Sequence, residues 1–305
     1  MRAILRSWIS YTLSMRLFVY GLGVTIWIVF MSVNFVSTNS ATANTVVRDE
    51  SQCSFEPIDV PASISADAWQ ITDIETGEVL AEHQSDVIFP FASVVKLLTA
   101  YAVLEQADAS TNSVVLTYAD ILTEGRSGSL EVFEEYSPHE LLSPLLVTSS
   151  NDAGAALART YPDLLSVMQK FANEAGASAT TIADTTGLSR RNTTTAHDLA
   201  LLLRYLYRQS PHIFDITRTP QIISQYDTGW VNNIPFRQLA GYQGGKQGYL
   251  PEVGQTGVAV FTAGEEAPKS FSITILSSDG VAKDMEALHR AVVQSYSCAP
   301  KLAVK

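Results

Sequence analysis

The order of apolar patterns along the chain predicts an α+β fold, with one antiparallel β-sheet flanked by helices and a helical lobe beside it. Three observations carry this. A strand pair opens the body of the chain near residue 69, helical spacing fills the middle from 92 to 207, and β-rich runs return at 257–276 ahead of a last helix. Hydrophobic residues make up 46% of the chain and charged ones 17%, which suits a sequence able to bury a sizeable core.

The opening pair is read from Trp69-Gln70-Ile71-Thr72-Asp73-Ile74 and Glu78-Val79-Leu80-Ala81, which flank the turn Glu75-Thr76-Gly77. After Pro90 the spacing of Val94, Val95, Leu97, Leu98, Ala100, Val103 and Leu104 fits a buried helix beginning near Ala92. Further helices are predicted at 138–147, 152–159, 164–175 and 196–207. The runs at 257–262 and 270–276, separated by the charged turn at 264–268, read as an antiparallel pair, and a helix at 281–296 closes the body.

Residues 17–36 form a mostly apolar run preceded by Arg2, Arg6 and Arg16, and no charged side chain lies between Arg16 and Arg48. That polarity is the one expected of an export signal with its positive end inside. The run is long enough to span a bilayer, while Ala41-Thr42-Ala43 resembles a small-residue cleavage site; an uncleaved anchor is preferred over a cleaved leader, and both stay open. The predicted organisation is therefore 1–43 as signal peptide or N-terminal membrane anchor, 44–62 as a linker rich in small and polar residues, 63–298 as the folded domain starting near Ile64, and 299–305 as a tail. An exported body lives where disulfides persist, and the even count of cysteines favours a Cys53–Cys298 bond over two free thiols.

The net charge of −11, with the three arginines at the N-terminus leaving the rest still more acidic, argues against nucleic acid as a partner. Three short elements carry the chemistry. Ser93-Val94-Val95-Lys96 places a hydroxyl and an amine three residues apart at the start of a helix, so both project from one face. Serine needs a base to become nucleophilic, and a lysine desolvated by Phe91, Val94, Val95 and Leu97 can serve. Ser149-Ser150-Asn151 offers a second hydroxyl and an amide, although the same residues also suit a helix cap. Gly244-Gly245-Lys246-Gln247-Gly248 supplies a cation and allows close backbone approach, though a glycine-rich turn with an exposed lysine would read alike. No one of the three is specific alone, and the five histidines fall outside them.

Taken in order, the three resemble the S-x-x-K, S-D-N and K-T-G set of β-lactamases and penicillin-binding proteins. Phe89 to Tyr101, Leu145 to Ala153, and Asp184-Thr185-Thr186-Gly187-Leu188 followed by Thr195 to Ala200 are similar to the low-molecular-mass D-alanyl-D-alanine carboxypeptidases in particular. The resemblance implies the serine β-lactamase-like fold and an extracytoplasmic enzyme that cuts peptidoglycan stem peptides ending in D-Ala-D-Ala and takes β-lactams as inhibitors. It implies Ser93 as nucleophile, Lys96 as its base and Ser149 as a proton relay. Asn151 would hold the substrate amide, Lys246 would attract the terminal carboxylate, and the N–H groups of Ser93 and Tyr249 would bind the oxyanion beside Gly248. No metal or organic cofactor is implied.

Two departures stand out. Gln247 occupies the position of the family's carboxylate-binding threonine, although its amide can still donate a hydrogen bond. The sequence after Cys298 is short, so tethering is expected from the N-terminal segment rather than from a C-terminal helix. A class A β-lactamase is the nearest enzymatic alternative, but no E-x-x-L-N segment lies between Asn151 and Lys246. A wall-binding protein that has lost turnover is the alternative that Gln247 raises.

Overall fold

The computed structural model describes residues 53–106, 113–265 and 267–298. The leader 1–43, the first part of the linker 44–62 and the tail 299–305 lie outside the described residues. Among the described residues no helix is long and apolar enough to cross a membrane.

The chain runs β1 (Cys53–Phe55), β2 (Ala68–Asp73), β3 (Val79–His83), β4 (Phe89–Pro90), a 3-10 turn Ala92–Val95, α1 (Lys96–Gln106), β5 (Val114–Val115), α2 (Tyr118–Ile121), β6 (Glu135–Tyr136) and α3 (Pro138–Ser143). A π-turn Pro144–Thr148 leads to α4 (Asn151–Thr160), α5 (Leu164–Glu174), β7 (Thr193–Thr194), α6 (Ala196–Gln209), α7 (Pro211–Arg218), β8 (Gln221–Ile223) and β9 (Gly229–Val231). A short 3-10 turn, Pro235–Gln238, precedes β10 (Tyr242–Leu250), β11 (Gly254–Ala263), β12 (Lys269–Ser278), α8 (Val281–Ser295) and β13 (Tyr296–Cys298).

The main sheet is antiparallel with strand order β10-β11-β12-β2-β3, so β12 is central, β10 forms one edge and β3 of the opening hairpin the other. Alternation along β11 divides two cores. Ala259 and Phe261 face Ile71, Phe271, Ile273 and the apolar side of α8, whereas Val258 and Val260 face the helical lobe. Both faces are therefore covered, and β11 and β12 are buried almost throughout. Within the lobe, α1 is buried from Lys96 to Val103 without a polar face, as a central helix must be.

Local chemistry explains the element boundaries. Asp73 accepts from the N–H groups of Glu75 and Thr76, each at 2.9 Å, and so closes the β2–β3 turn. Thr117 with Asp120 and Ser137 with Glu140 form capping boxes at α2 and α3, and Thr195 caps α6. Ser150 is the N-cap of α4, its hydroxyl accepting from Ala153 N–H at 2.9 Å.

Three features differ from the sequence expectation. The helix expected from Ala92 begins as a 3-10 turn, and the one expected over 138–147 breaks into α3 and the π-turn. The ordered fold also starts ahead of Ile64. Cys53–Phe55, inside the stretch read as linker, pairs antiparallel with β13 in the register Cys53 to Cys298, and the two cysteines form a disulfide across a sequence separation of 245. A three-residue strand whose partner lies so far along the chain leaves no local periodicity to read.

The disulfide is expected to matter for stability, because it closes a long loop in the unfolded chain. Reduction should lower the unfolding free energy by up to roughly 5 kcal/mol. Mass spectrometry of protein from an oxidising compartment should show no free thiol; two free thiols, or an unchanged denaturation midpoint after reduction, would contradict this.

Candidate active site

Ser93 sits in the 3-10 turn that feeds α1, so the hydroxyl and the Lys96 amine are one tight turn apart. Lys96 Nζ donates to Ser93 Oγ at 3.0 Å, to Asn151 Oδ1 at 2.7 Å, and to the carbonyl of Thr186. Its side chain is removed from water entirely. Burial pushes the Lys96 pKa from 10.5 down to about 7, with the Asp184 charge working against the shift and the Arg126 charge adding to it. A lysine of that basicity is available as a base near neutral pH, and its hydrogen bond to Ser93 gives a path for the proton.

The loop behind this pair is held by Asp184. Its carboxylate accepts from the N–H groups of Thr186 at 2.7 Å, Gly187 at 2.6 Å and Ser189 at 2.6 Å. Burial alone would raise the Asp184 pKa, but these N–H groups hold it below the ordinary carboxylate value. The loop stays anionic at its base and presents the Thr186 carbonyl to Lys96.

Ser149 and Lys246 form a second pair. Ser149 ends the π-turn in the left-handed region, φ 64°, and Ala92 beside Ser93 also has φ of 48°. A non-glycine residue held there costs on the order of 1–3 kcal/mol, so each hydroxyl is set by a backbone its surroundings must over-determine. Lys246 Nζ donates to Ser149 Oγ and to the carbonyl of Gln247, both at 2.9 Å. Burial lowers its pKa well below 10.5, and repulsion from Lys96 and Arg126 adds to the effect.

A cavity of about 480 Å³ opens in front of both serines. Ser93, Ser149 and Asn151 line one side, and Gln247, Gly248 and Tyr249 of β10 the other. β10 ends the main sheet; on its outer side Thr217 of α7 accepts from Gly245 N–H at 3.1 Å, and the Gln247–Tyr249 stretch faces the cavity. Gly248 is required where it stands, because a Cβ there would lie 2.7 Å from Ser93 N. The Gln247 amide donates across the mouth to the carbonyl of Asn233 at 2.9 Å.

The structure thus brings Ser93, Lys96, Ser149, Asn151, Lys246, Gln247, Gly248 and Tyr249 to one place. Two of them sit otherwise than the sequence reading pictured. Lys246 lies behind Ser149 rather than on the cavity wall, and the Asn151 amide already serves Lys96 through Oδ1 and the Glu124 carbonyl through Nδ2 at 2.8 Å. Sequence reasoning assigned no role to Thr186, although it lies in a family-like stretch, nor to Asn233 or Arg126. The first two act through backbone carbonyls, which leave no side-chain signature, and Arg126 stands in a turn-rich stretch with no motif of its own.

A sequence profile described as D-alanyl-D-alanine carboxypeptidase matches residues 55–273. Over 209 residues the chain is 30% identical to a D-alanyl-D-alanine carboxypeptidase of Mycobacterium tuberculosis, covering 65% of this chain and 71% of that one. It is 31% identical over 156 residues to a D-alanyl-D-alanine endopeptidase of Pseudomonas aeruginosa, covering 50% of each; the chain spans about half the length of that relative. Among solved structures, a D-alanyl-D-alanine carboxypeptidase of Mycobacterium tuberculosis superposes with a TM-score of 0.68 at 26% identity, covering 80% of this chain and 97% of that one. Penicillin-binding protein D2 of Listeria monocytogenes in its cefotaxime-bound form gives 0.67 at 27% identity, covering 76% and 99%. With a serine and a buried lysine in contact at the cavity and the profile spanning most of the folded residues, the chain belongs to the D-alanyl-D-alanine carboxypeptidase family of serine peptidases, low-molecular-mass penicillin-binding proteins with the serine β-lactamase-like fold.

Proposed function

We propose that this chain cleaves peptidoglycan stem peptides as a carboxypeptidase, releasing the last D-alanine through an acyl-enzyme on Ser93. The observation that carries the reading is the contact between Ser93 Oγ and a Lys96 amine whose pKa is depressed by burial. Ser93 Oγ attacks the carbonyl carbon between the two D-alanines as its proton passes to Lys96 Nζ. The negative charge on the carbonyl oxygen is met by the N–H groups of Ser93 and Tyr249. The C–N bond then breaks as the proton taken up by Lys96 passes by way of Ser149 to the leaving amine, which leaves Lys96 neutral again; Ser149 is held by its hydrogen bond from Lys246. Water next attacks the ester carbon, Lys96 accepting its proton; the acyl C–O bond breaks and Lys96 returns the proton to Ser93 Oγ.

An extended peptide would lie along the outer side of β10, where main-chain groups pair as in an added strand. Asn151 would hold the peptide amide only by sharing a group that already steadies Lys96. A β-lactam presents a strained amide beside a carboxylate and so enters the same path, which the cefotaxime- and ampicillin-bound forms of the Listeria relative support. Action on the cell wall lies outside the cytoplasm. Tethering by residues 17–36, or release after cleavage near Ala43, rests on the sequence of the N-terminal segment.

Incubation with a penicillin should add one drug mass to the protein, mapped by peptide mass spectrometry to Ser93. Lys96→Ala should keep the fold and slow acylation by orders of magnitude, since the serine loses its base. An adduct on another residue, no adduct at saturating drug, or undiminished acylation of Lys96→Ala would each sink the assignment.

The Gln247 amide is engaged with Asn233, so a threonine hydroxyl in its place would be freer to meet a substrate carboxylate. Release of D-alanine from a D-Ala-D-Ala peptide should be present but modest, and Gln247→Thr should raise it. One hydrogen bond to a charged group is worth about 1.5–3 kcal/mol, so the gain is capped at roughly 150-fold. If both proteins bind the peptide and neither releases D-alanine over long incubation, the wall-binding reading replaces the peptidase one.

A further inference from the structure

The loop between α2 and β6 bends over the cavity and is latched on both sides of Arg126. Asn151 Nδ2 donates to the Glu124 carbonyl at 2.8 Å, and Asn151 N–H donates to the Arg126 carbonyl at 2.7 Å. Asp152 accepts from Gly128 N–H at 2.9 Å and from Ser127 Oγ at 3.0 Å, while Trp230 Nε1 donates to the Gly128 carbonyl at 2.7 Å. Gly125 packs so closely that a Cβ there would lie 2.4 Å from Asn151 Nδ2. The backbone that carries Arg126 is therefore fixed by the same helix N-terminus that orders the catalytic serines' surroundings.

The side chain it carries is exposed and lines the cavity. Among the described residues no carboxylate forms an ion pair with Arg126; Arg190, Arg191, Arg204, Arg208 and Arg237 lack one too, and of these six only Arg126 lines the cavity. Among the described residues lining the cavity none is an aspartate or glutamate, and Arg126 alone carries a permanent charge. In a protein with net charge −11, an exposed guanidinium without an ion pair, on a pinned loop facing a carboxylate-free cavity, is free to take an anionic partner from outside. The inward position of Lys246 sharpens the point, because that ammonium is already engaged by Ser149 and the Gln247 carbonyl.

We propose that Arg126 is a specificity-determining residue that binds a carboxylate of the peptide substrate at the cavity mouth. This deepens the peptidase reading and rests on it. A guanidinium matches a carboxylate through two parallel N–H donors, which gives orientation as well as attraction. The carboxylate could be the peptide's C-terminus or an acidic side chain upstream of the cut; the chemistry is shared, and the peptides used in the test separate the two.

The test measures binding in a Ser93→Ala background, where turnover does not interfere, with three synthetic pentapeptides ending in D-Ala-D-Ala. One keeps its C-terminal carboxylate and an upstream glutamate, one is amidated at the C-terminus, and one carries glutamine for glutamate. Adding Arg126→Gln should weaken binding of the first peptide roughly ten- to a hundredfold, the range for one charged hydrogen-bond pair. Arg126→Lys should recover part of that, and the loss should shrink as salt is raised. The loss should vanish for whichever peptide lacks the carboxylate that Arg126 engages. With Ser93 restored, the change should appear mainly in KM. Unchanged binding of the first peptide, or an equal loss for all three, overturns the role of Arg126 and leaves the peptidase reading standing. If the Ser93→Ala parent binds none of the peptides and the wild type releases no D-alanine, the peptidase reading falls, and this inference with it.

Discussion

A lysine ammonium taken wholly out of water beside a serine hydroxyl sets the terms for everything around it. Shielding Lys96 from solvent disfavours its charged form, and the three acceptors Ser93, Asn151 and Thr186 offset only part of that. The shift is equivalent to a penalty on the order of 5 kcal/mol against the protonated state. Its sign follows from proton binding. Below about pH 7 folded and unfolded chains both hold the proton and the penalty is fully present; between there and 10.5 only the unfolded chain holds it, so stability rises with pH. A fold that accepts this penalty must recover it elsewhere, and the two cores on either side of the sheet are where it does.

The burial also dictates the neighbours. Asp184, held ionised by three backbone N–H groups, keeps the lysine from losing still more basicity, and its loop delivers the Thr186 carbonyl. Lys246 repeats the arrangement behind Ser149, and the Lys96 charge disfavours that of Lys246 across the site. Seven described non-glycine residues have positive φ; the two that are buried, Ala92 and Ser149, lie at the two hydroxyls, while Gln84, Ser129, Phe133, Asp227 and Ser277 sit at more exposed positions. Strain and desolvation thus gather around the same few atoms, as is expected where geometry serves chemistry.

Much of this was visible in the residues because it is written in short-range patterns. The spacing of Ser93 and Lys96, the apolar run through α1, and the β-rich runs of β11 and β12 each lie within a dozen residues, so short stretches of sequence reveal them. The family likeness then joined Ser149, Asn151 and Lys246 to them. What could not be read depends on contacts between distant segments. The pairing of β1 with β13, the inward turn of the Lys246 ammonium and the latching of the Arg126 loop by Asn151 and Asp152 are all settled by tertiary packing. The helix α7 was missed although Ser210-Pro211 is a start signal for it, because its eight residues are too few for a clear period.

The central claim is that Lys96 is uncharged for an appreciable fraction of the time at neutral pH because the fold hides it from water. Its titration can be followed directly by NMR of protein labelled at the lysine side chains, with the Lys96 signal assigned by its disappearance in Lys96→Ala. A Lys96 signal titrating near pH 7, well apart from exposed lysines near 10.5, is the predicted result. A Lys96 signal that titrates with the exposed lysines would contradict the account.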